Sequence, residues 1–291
     1  MLPEFEWPAR LAAGLLAVGL VALFVARAIR KDRREYARFR RYRSTARRQA
    51  MMRRWLIESL VLFGGTAVVV LLLVYPVVTP LLAATQALPA VGWLRDALAG
   101  GLGIGLLVGV ALGLAALTFV GVRSARREGG IIMLGDIAAL LPRNRPELGW
   151  GAALSINAGI VEEALFRLAL PALLVVVTGE PVSAFVLAAI VFGALHAYQG
   201  WIGVLATTVV GVLFTLLYVA SGSIVLAMLV HALFDLRTLV VIPMAVYRVH
   251  DVPGSVRFPK PLAMAPPAAE AATATEAPAD QVEGAATDSV P

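Results

Sequence analysis

The chain has 291 residues and a formal net charge of +6; 59% of its residues are hydrophobic, only 15% are charged, and the mean hydropathy is +0.82. This composition is typical of a membrane protein with several spanning segments and excludes an ordinary soluble domain. The sequence contains no cysteine, which excludes disulfides, thiolate nucleophiles, iron–sulfur clusters and cysteine zinc sites.

Hydropathy indicates how many segments could cross a membrane. A spanning helix needs about 20 predominantly apolar residues. The first apolar segment is not expected to be a cleaved signal peptide, because basic residues follow its apolar core instead of preceding it. We therefore predict an all-α fold, a polytopic transmembrane bundle of about seven or eight helices. The seven candidate spans are residues 8–29, 56–78, 98–122, 149–177, 181–198, 201–220 and 223–246.

The distribution of basic residues predicts the orientation. Residues 30–54 contain twelve Lys or Arg against two acids, and residues 123–148 add five arginines. Basic loops beside membrane helices usually lie in the cytoplasm, so this explanation is favoured over a nucleic-acid-binding arm. With seven crossings, the N-terminus is then expected outside and the C-terminus in the cytoplasm.

Hydropathy and charge divide the chain into four predicted parts. Residues 1–55 hold the first helix and a basic cytoplasmic loop, and residues 56–145 hold helices two and three and a short interfacial segment. Residues 146–247 contain the remaining spans and the chemistry described below. The Pro- and Ala-rich tail at 248–291 has five acids and no bases beyond residue 260, so it is expected to be disordered.

Three charged side chains interrupt the fourth candidate span in "VEEALFRLALP". A charge at the bilayer centre costs about 2.5–3.5 kcal/mol on insertion scales, so these groups must face the protein interior. Glu163 and Arg167 are four residues apart and can form a structural salt bridge on one helix face. Glu162 is rotated by about 100° from Glu163. It shares a face with small residues such as Gly159, which leave room for a cavity.

Two of the three histidines also fall inside predicted spans. His196 lies in "FGALHAY", and "HALFD" places His231 and Asp235 four residues apart on one helix face. Buried polar groups can serve only to hold helices together. Two histidines, a spare glutamate and an aspartate on three helices instead favour a shared cavity, which we expect to face the cytosol.

These residue types could hydrolyse a peptide bond. A carboxylate and a histidine that share a water can remove its proton, and a second histidine can donate a hydrogen bond to the resulting oxyanion. A serine nucleophile is disfavoured, because no serine lies beside either histidine. The same residues could instead bind a divalent metal such as zinc, and the sequence leaves both possibilities open. The candidate catalytic or metal-ligating residues are Glu162, His196, His231 and Asp235.

Three short motifs in this region resemble those of a known family. "EEALFR" fits EExxxR, "FGALH" fits FxxxH and "HALFD" fits Hxxx(N/D), in this order on successive predicted helices. Together they resemble the CPBP family, which comprises type II CAAX prenyl endopeptidases and bacterial bacteriocin-processing or self-immunity relatives and is also called the Abi family. The resemblance covers about residues 145–246.

The resemblance implies an intramembrane protease built around a cavity open to the cytosol. By position, Glu162 looks like the water-activating base, His196 like its partner, and His231 with Asp235 like the pair that stabilises the oxyanion. The supporting residues that it implies are Glu163, Arg167 and Phe192, the last of which is expected to pack beneath His196.

Asp235 departs from part of this pattern. Eukaryotic CAAX proteases have asparagine there, whereas an ionised aspartate accepts hydrogen bonds but cannot donate one to an oxyanion. Asp235 could orient His231, ligate a metal or carry a proton. Bacterial relatives often have aspartate at this position, so activity is still expected.

Composition also bears on location and substrate. The Ala- and Arg-rich sequence without an organelle signal favours a bacterial plasma membrane, where CAAX prenylation is not expected. A membrane-anchored peptide or protein is therefore the expected substrate, with the lipid bilayer as surroundings and no nucleic acid. The alternatives are a non-catalytic immunity or scaffold protein and, less favoured, a proton-coupled transporter, since no pair of Gly/Pro-broken repeats is evident.

Overall fold

The computed structural model describes residues 2–99 and 135–255, with scattered residues of 105–123 between them. Over this part the chain is helical and contains no strand, which confirms the all-α fold. The helices are α1 (Trp7–Phe39), α2 (Thr45–Gln86), α3 (Pro89–Ala99), α4 (Arg145–Glu163, continuing through Ala164–Ala169 and Leu170–Thr178), α5 (Pro181–Ala194), α6 (Ala197–Ser221) and α7 (Ile224–Tyr247).

Within the described ranges, four helices are long and apolar enough to cross a membrane, namely α1, α2, α6 and α7. The chain is therefore an integral membrane protein with a helical-bundle fold. Helix α4 coincides with the fourth predicted span but carries three charges near its middle, and α5 has only 14 residues, about 21 Å of helix. The predicted span at 98–122 falls largely outside the described residues, so the number of crossings stays a prediction.

The basic segment 30–54 is helical, although its charges suggested a loop. Helix α1 continues to Phe39 and α2 begins at Thr45, so only residues 40–44 lie between them. Arginine and lysine are good helix formers, and a change from apolar to charged side chains marks a membrane boundary without ending a helix. We call the paired basic ends of α1 and α2, residues 27–58, the basic hairpin.

Residues 135–147 pack against this basic hairpin. Arg48 is fully buried and donates hydrogen bonds to the carbonyls of Ala139 and Leu141, at 3.1 and 3.0 Å from Nη2. Its Nε lies 3.0 Å from Oε2 of Glu147, which is buried in the first turn of α4. A buried pair with this many hydrogen bonds fixes the start of α4 beside α2.

Local sequence signals set the boundaries of the later helices. Asn144, Glu180 and Ser223 precede α4, α5 and α7, and each accepts a hydrogen bond from a backbone N–H of the following turn. Gly179 and Gly222 end α4 and α6 with φ of 71°, a left-handed conformation that glycine adopts readily. Short turns therefore connect α4 to α5 and α6 to α7, so each pair reverses direction.

Helix α4 is the central helix of the described bundle. Residues 169–176 are all buried, and this half of α4 packs against α1, α2 and α5. The other half packs against α7 and the start of α2. Between the halves, the wider π-helical turn Ala164–Ala169 follows Glu163 directly, and such turns are frequent at functional sites. The charged motif therefore lies at the junction of the two packed halves.

Candidate active site

Close approach of α7 to α4 brings the first and third motifs together. A Cβ atom added to Gly159 would lie 2.8 Å from the backbone nitrogen of Ala232 and 2.8 Å from the backbone oxygen of Met228. The space beside Gly159, which we expected to be part of a cavity, is thus filled by the backbone of α7. Because His231 precedes Ala232, this contact also carries its side chain to the level of Glu163.

A buried cluster of three charged or titratable side chains lies at this level. Oε1 of Glu163 is 3.1 Å from Nη1 of Arg167 and 2.7 Å from Nδ1 of His231. The three residues are 0%, 1% and 4% exposed. The Glu163–Arg167 ion pair predicted from the spacing is therefore present. His231 joins it, a contact that the motif spacing does not predict.

The guanidinium of Arg167 has further partners. Its Nη2 donates a hydrogen bond to the carbonyl of Gly211 at 3.1 Å, and its carbon lies 4.7 Å from the ring centre of Phe192 and 5.6 Å from that of Phe214. A cation over an aromatic face gains electrostatic attraction where water is excluded. Arg167 is thus held by a carboxylate, a carbonyl and two rings, which suits a supporting role.

The orientation of His231 is fixed from several sides. Its ring stacks on Phe214 at 4.7 Å with an interplanar angle of 25°, and the edge of Phe192 meets it at 6.2 Å. Since Nδ1 faces the Glu163 carboxylate, that nitrogen carries a proton and Nε2 is the nitrogen left for chemistry. Nε2 lies 3.7 Å from Oδ2 of Asp235, which is longer than a direct hydrogen bond.

The second histidine is also held by its Nδ1. In His196 this nitrogen lies 2.9 Å from the carbonyl oxygen of Phe192, and the two rings are 4.9 Å apart. A carbonyl can only accept, so Nδ1 is the donor and Nε2 of a neutral His196 keeps its lone pair. The His196 side chain is half-buried, so it is partly accessible from outside the protein.

Glu162 differs from its neighbour Glu163. It is half-buried and forms no hydrogen bond or ion pair with any other described residue. It adjoins Glu163, whose carboxylate contacts Nδ1 of His231. No hydrogen bond joins Glu162 to His196 in the described part of the chain. The structure thus places Glu163, Arg167, His231 and Asp235 in one cluster and leaves Glu162 and His196 at its border.

Three residues that sequence reasoning missed belong to this environment. Phe214 and Gly211 lie on α6 outside any motif, and only tertiary packing shows that they contact His231 and Arg167. Tyr198 follows His196 by two residues, with the ring centres 5.9 Å apart. A polar aromatic residue so close to a candidate histidine in sequence was a signal that could have identified it.

A metal ion and a serine nucleophile are the two alternatives to a water activated by glutamate and histidine. No group of three or more His, Cys, Asp or Glu side chains among the described residues is placed to hold a metal ion. A zinc site needs such donors at about 2.0–2.3 Å from one point, and metal binding by the four predicted residues stays a prediction. Ser155, the serine nearest to Glu162 in α4, is buried and donates to the carbonyl of Gly151 at 2.9 Å.

Comparison with known families agrees with the motifs. Residues 144–237 match the family described as type II CAAX prenyl endopeptidase Rce1-like, a stretch that includes all three motifs. Searches of curated proteins and of solved structures gave no match. Residues 144–237 are therefore similar to the type II CAAX prenyl endopeptidases, in agreement with the family that the three motifs resemble.

Proposed function

We propose that the chain is an intramembrane endopeptidase that hydrolyses a peptide bond of a membrane-associated protein or peptide. The observation that carries this proposal is the 2.7 Å contact between His231 and the buried Glu163, around which Glu162, His196 and Asp235 are half-buried. Buried supporting groups beside partly accessible acid–base groups are what a hydrolytic site requires. The similarity of residues 144–237 to the type II CAAX prenyl endopeptidases supports the same assignment.

The first step of the proposed reaction is activation of water. The Glu162 carboxylate has no partner among the described residues, so it is available to accept a proton from a water. His196 holds the same water through the lone pair of Nε2. The hydroxide then attacks the carbonyl carbon of the substrate, and the proton on Glu162 passes to the leaving amine as the C–N bond breaks.

The second requirement is stabilisation of the oxyanion on the tetrahedral intermediate. When His231 is protonated at both nitrogens, its Nε2–H can donate to this oxygen, while Glu163 stabilises the imidazolium through Nδ1. Asp235, at 3.7 Å from Nε2, then orients His231 and balances its charge. No step of this scheme uses a metal ion.

We further propose that the site opens on the positively charged side of the membrane. The ring of Tyr198, in the turn after His196, lies 5.4 Å from that of Tyr36 in the basic hairpin. Basic segments lie on the cytoplasmic side of bacterial plasma membranes, so the site would face the cytosol, with the N-terminus outside and the C-terminus inside. A membrane-anchored peptide or protein, without a prenyl group, would then be the substrate.

The predicted parts of the chain have different roles in this scheme. We propose that residues 146–247 form the catalytic core and that residues 1–55 and 56–145 supply the surrounding helices. Buried contacts of Arg48 with residues 139–147 support this division, because they attach the basic hairpin to the start of the core. Residues 248–291 have no part in the proposed chemistry.

Labelling of new protein N-termini tests the proposal without a known substrate. The purified wild type and Glu162→Gln would each be reconstituted with bacterial membrane proteins in liposomes, and newly formed N-termini would be identified by mass spectrometry. Glu4→Gln is a matched control, because it makes the same change at an exposed residue far from the motifs. The wild type and Glu4→Gln should generate the same new N-termini, and Glu162→Gln none. Equal sets from all three proteins and from liposomes that lack the protein would reject catalysis and favour an immunity or scaffold role.

A further inference from the structure

The proposed site needs a hydrogen-bond donor that stays protonated. The last position of the third motif is Asp235, and its ionised carboxylate can only accept. His231 can donate from Nε2 only when it carries a second proton, because its Nδ1–H faces Glu163. An oxyanion is stabilised by donors already in place when the charge develops, so a neutral donor nearby would complete the site.

Tyr198 has such a donor. Its hydroxyl oxygen accepts a hydrogen bond from Nε2 of Gln199 at 3.1 Å, which occupies an acceptor position and leaves the O–H hydrogen for another partner. No acceptor takes this hydrogen among the residues that the structure describes. The Tyr198 side chain is half-buried and therefore partly shielded from water. A hydrogen bond from its hydroxyl is electrostatically stronger there than in bulk water.

The position of Tyr198 relates it to the reacting groups. It lies in the 3₁₀ turn Ala197–Gln199, and its ring is 5.9 Å from that of His196. The ring of Phe192 lies 4.9 Å from that of His196 and 6.2 Å from that of His231. Tyr198 therefore borders the group of rings that holds the two candidate histidines.

The ring of Tyr198 is also held in place. Tyr36 packs against it at 5.4 Å with an interplanar angle of 52°, and the hydroxyl of Tyr36 donates to Oδ1 of Asp136 at 3.2 Å. The backbone N–H of Asp136 in turn donates to the carbonyl of Gln199 at 2.9 Å. These contacts fix the turn that carries Tyr198, so its hydroxyl is preorganised.

We propose that Tyr198 is a further catalytic residue, whose hydroxyl donates a hydrogen bond to the oxyanion formed when the activated water attacks the substrate carbonyl. This inference rests on the proposed function. The phenol keeps its hydrogen throughout: the charge develops on the former carbonyl oxygen and disappears when the C–N bond breaks. Tyr198 thereby supplies the donor that Asp235 lacks.

Removal of one hydroxyl tests this role. Tyr198→Phe keeps the ring and its packing but removes the donor, and the rate at which new N-termini form on liposome-reconstituted bacterial membrane proteins should fall by about 100-fold. Tyr75→Phe is the matched control, because it removes the same hydroxyl from a tyrosine of α2 that is 74% exposed. Tyr75→Phe should keep the rate within about twofold of wild type, the small effect expected of a change outside the reacting groups.

A rescue experiment separates catalysis from structure. Asp235→Asn introduces an amide donor beside Nε2 of His231, so it should raise the rate of Tyr198→Phe at least about tenfold, a recovery that repaired packing would not produce. Wild-type rates in Tyr198→Phe, or a slow Tyr198→Phe that Asp235→Asn does not restore, would overturn the assignment of Tyr198. The proposed function is judged separately, since it fails only if the wild type generates no N-termini beyond those found in liposomes that lack the protein.

Discussion

The Nδ1 nitrogen of His231 lies 2.7 Å from Oε1 of Glu163, in a buried contact that joins the first motif to the third. The adjacent glutamates therefore have different surroundings: Glu163 is fully buried and holds His231 and Arg167, whereas Glu162 is half-buried beside them. Orienting a histidine and activating a water are separate tasks in hydrolytic sites. In the proposed mechanism Glu163 orients His231 and Glu162 activates the water.

Arg167→Ala should lower stability strongly. The substitution leaves the Glu163 carboxylate buried without its cation, a change that typically costs about 3–5 kcal/mol. We expect a clearly lower melting temperature in detergent. Arg53→Ala removes an exposed arginine that forms no ion pair with a described residue, so it should melt like the wild type. Equal melting of both variants would show that the buried pair contributes nothing.

Gly159→Ala tests whether close contact between α4 and α7 positions His231. The added Cβ would meet the α7 backbone at 2.8 Å, so α7 must move away, at a typical cost of about 1–3 kcal/mol. We expect lower stability and slower cleavage. Gly149→Ala, in the same helix, has nothing within 4 Å of the added atom and should leave both unchanged. If Gly159→Ala behaves like Gly149→Ala, helix proximity does not position His231.

Metal removal tests whether glutamate and histidine activate the water without a metal ion. The purified enzyme should keep its full cleavage rate after dialysis against a chelator, and elemental analysis should find less than one divalent ion per chain. This expectation follows from the lack of a ligand cluster among the described residues. Loss of cleavage on chelation with recovery on addition of zinc would instead require a metal-activated water.

Contacts within one helix could be predicted from the sequence, and contacts between helices could not. The Glu163–Arg167 pair follows from a four-residue spacing, which places two side chains on one face whatever surrounds the helix. The His231–Glu163 contact depends on how closely α7 approaches α4. That distance is set by the backbone contact at Gly159, and hydropathy carries no information about it.

The predicted membrane spans also agree with the structure only where local sequence signals mark their ends. Hydropathy located α6 and α7 well, because long apolar runs and glycine or serine boundaries are local signals. It took residues 30–54 for a loop, since charge marks where the bilayer ends but not where a helix ends. The buried contacts of Arg48 with Ala139, Leu141 and Glu147 explain why these charged helix ends stay ordered.

Glu162 is the residue on which the proposed chemistry depends. The most direct measurement is the cleavage rate of one membrane peptide, chosen from those found by N-terminal labelling, by the purified wild type, Glu162→Gln and Glu4→Gln in liposomes. Glu162→Gln should lose at least about 100-fold in rate, as expected for loss of a general base, with the same melting temperature as the wild type. Cleavage by Glu162→Gln at the rate of Glu4→Gln would contradict the assignment of Glu162 as the base.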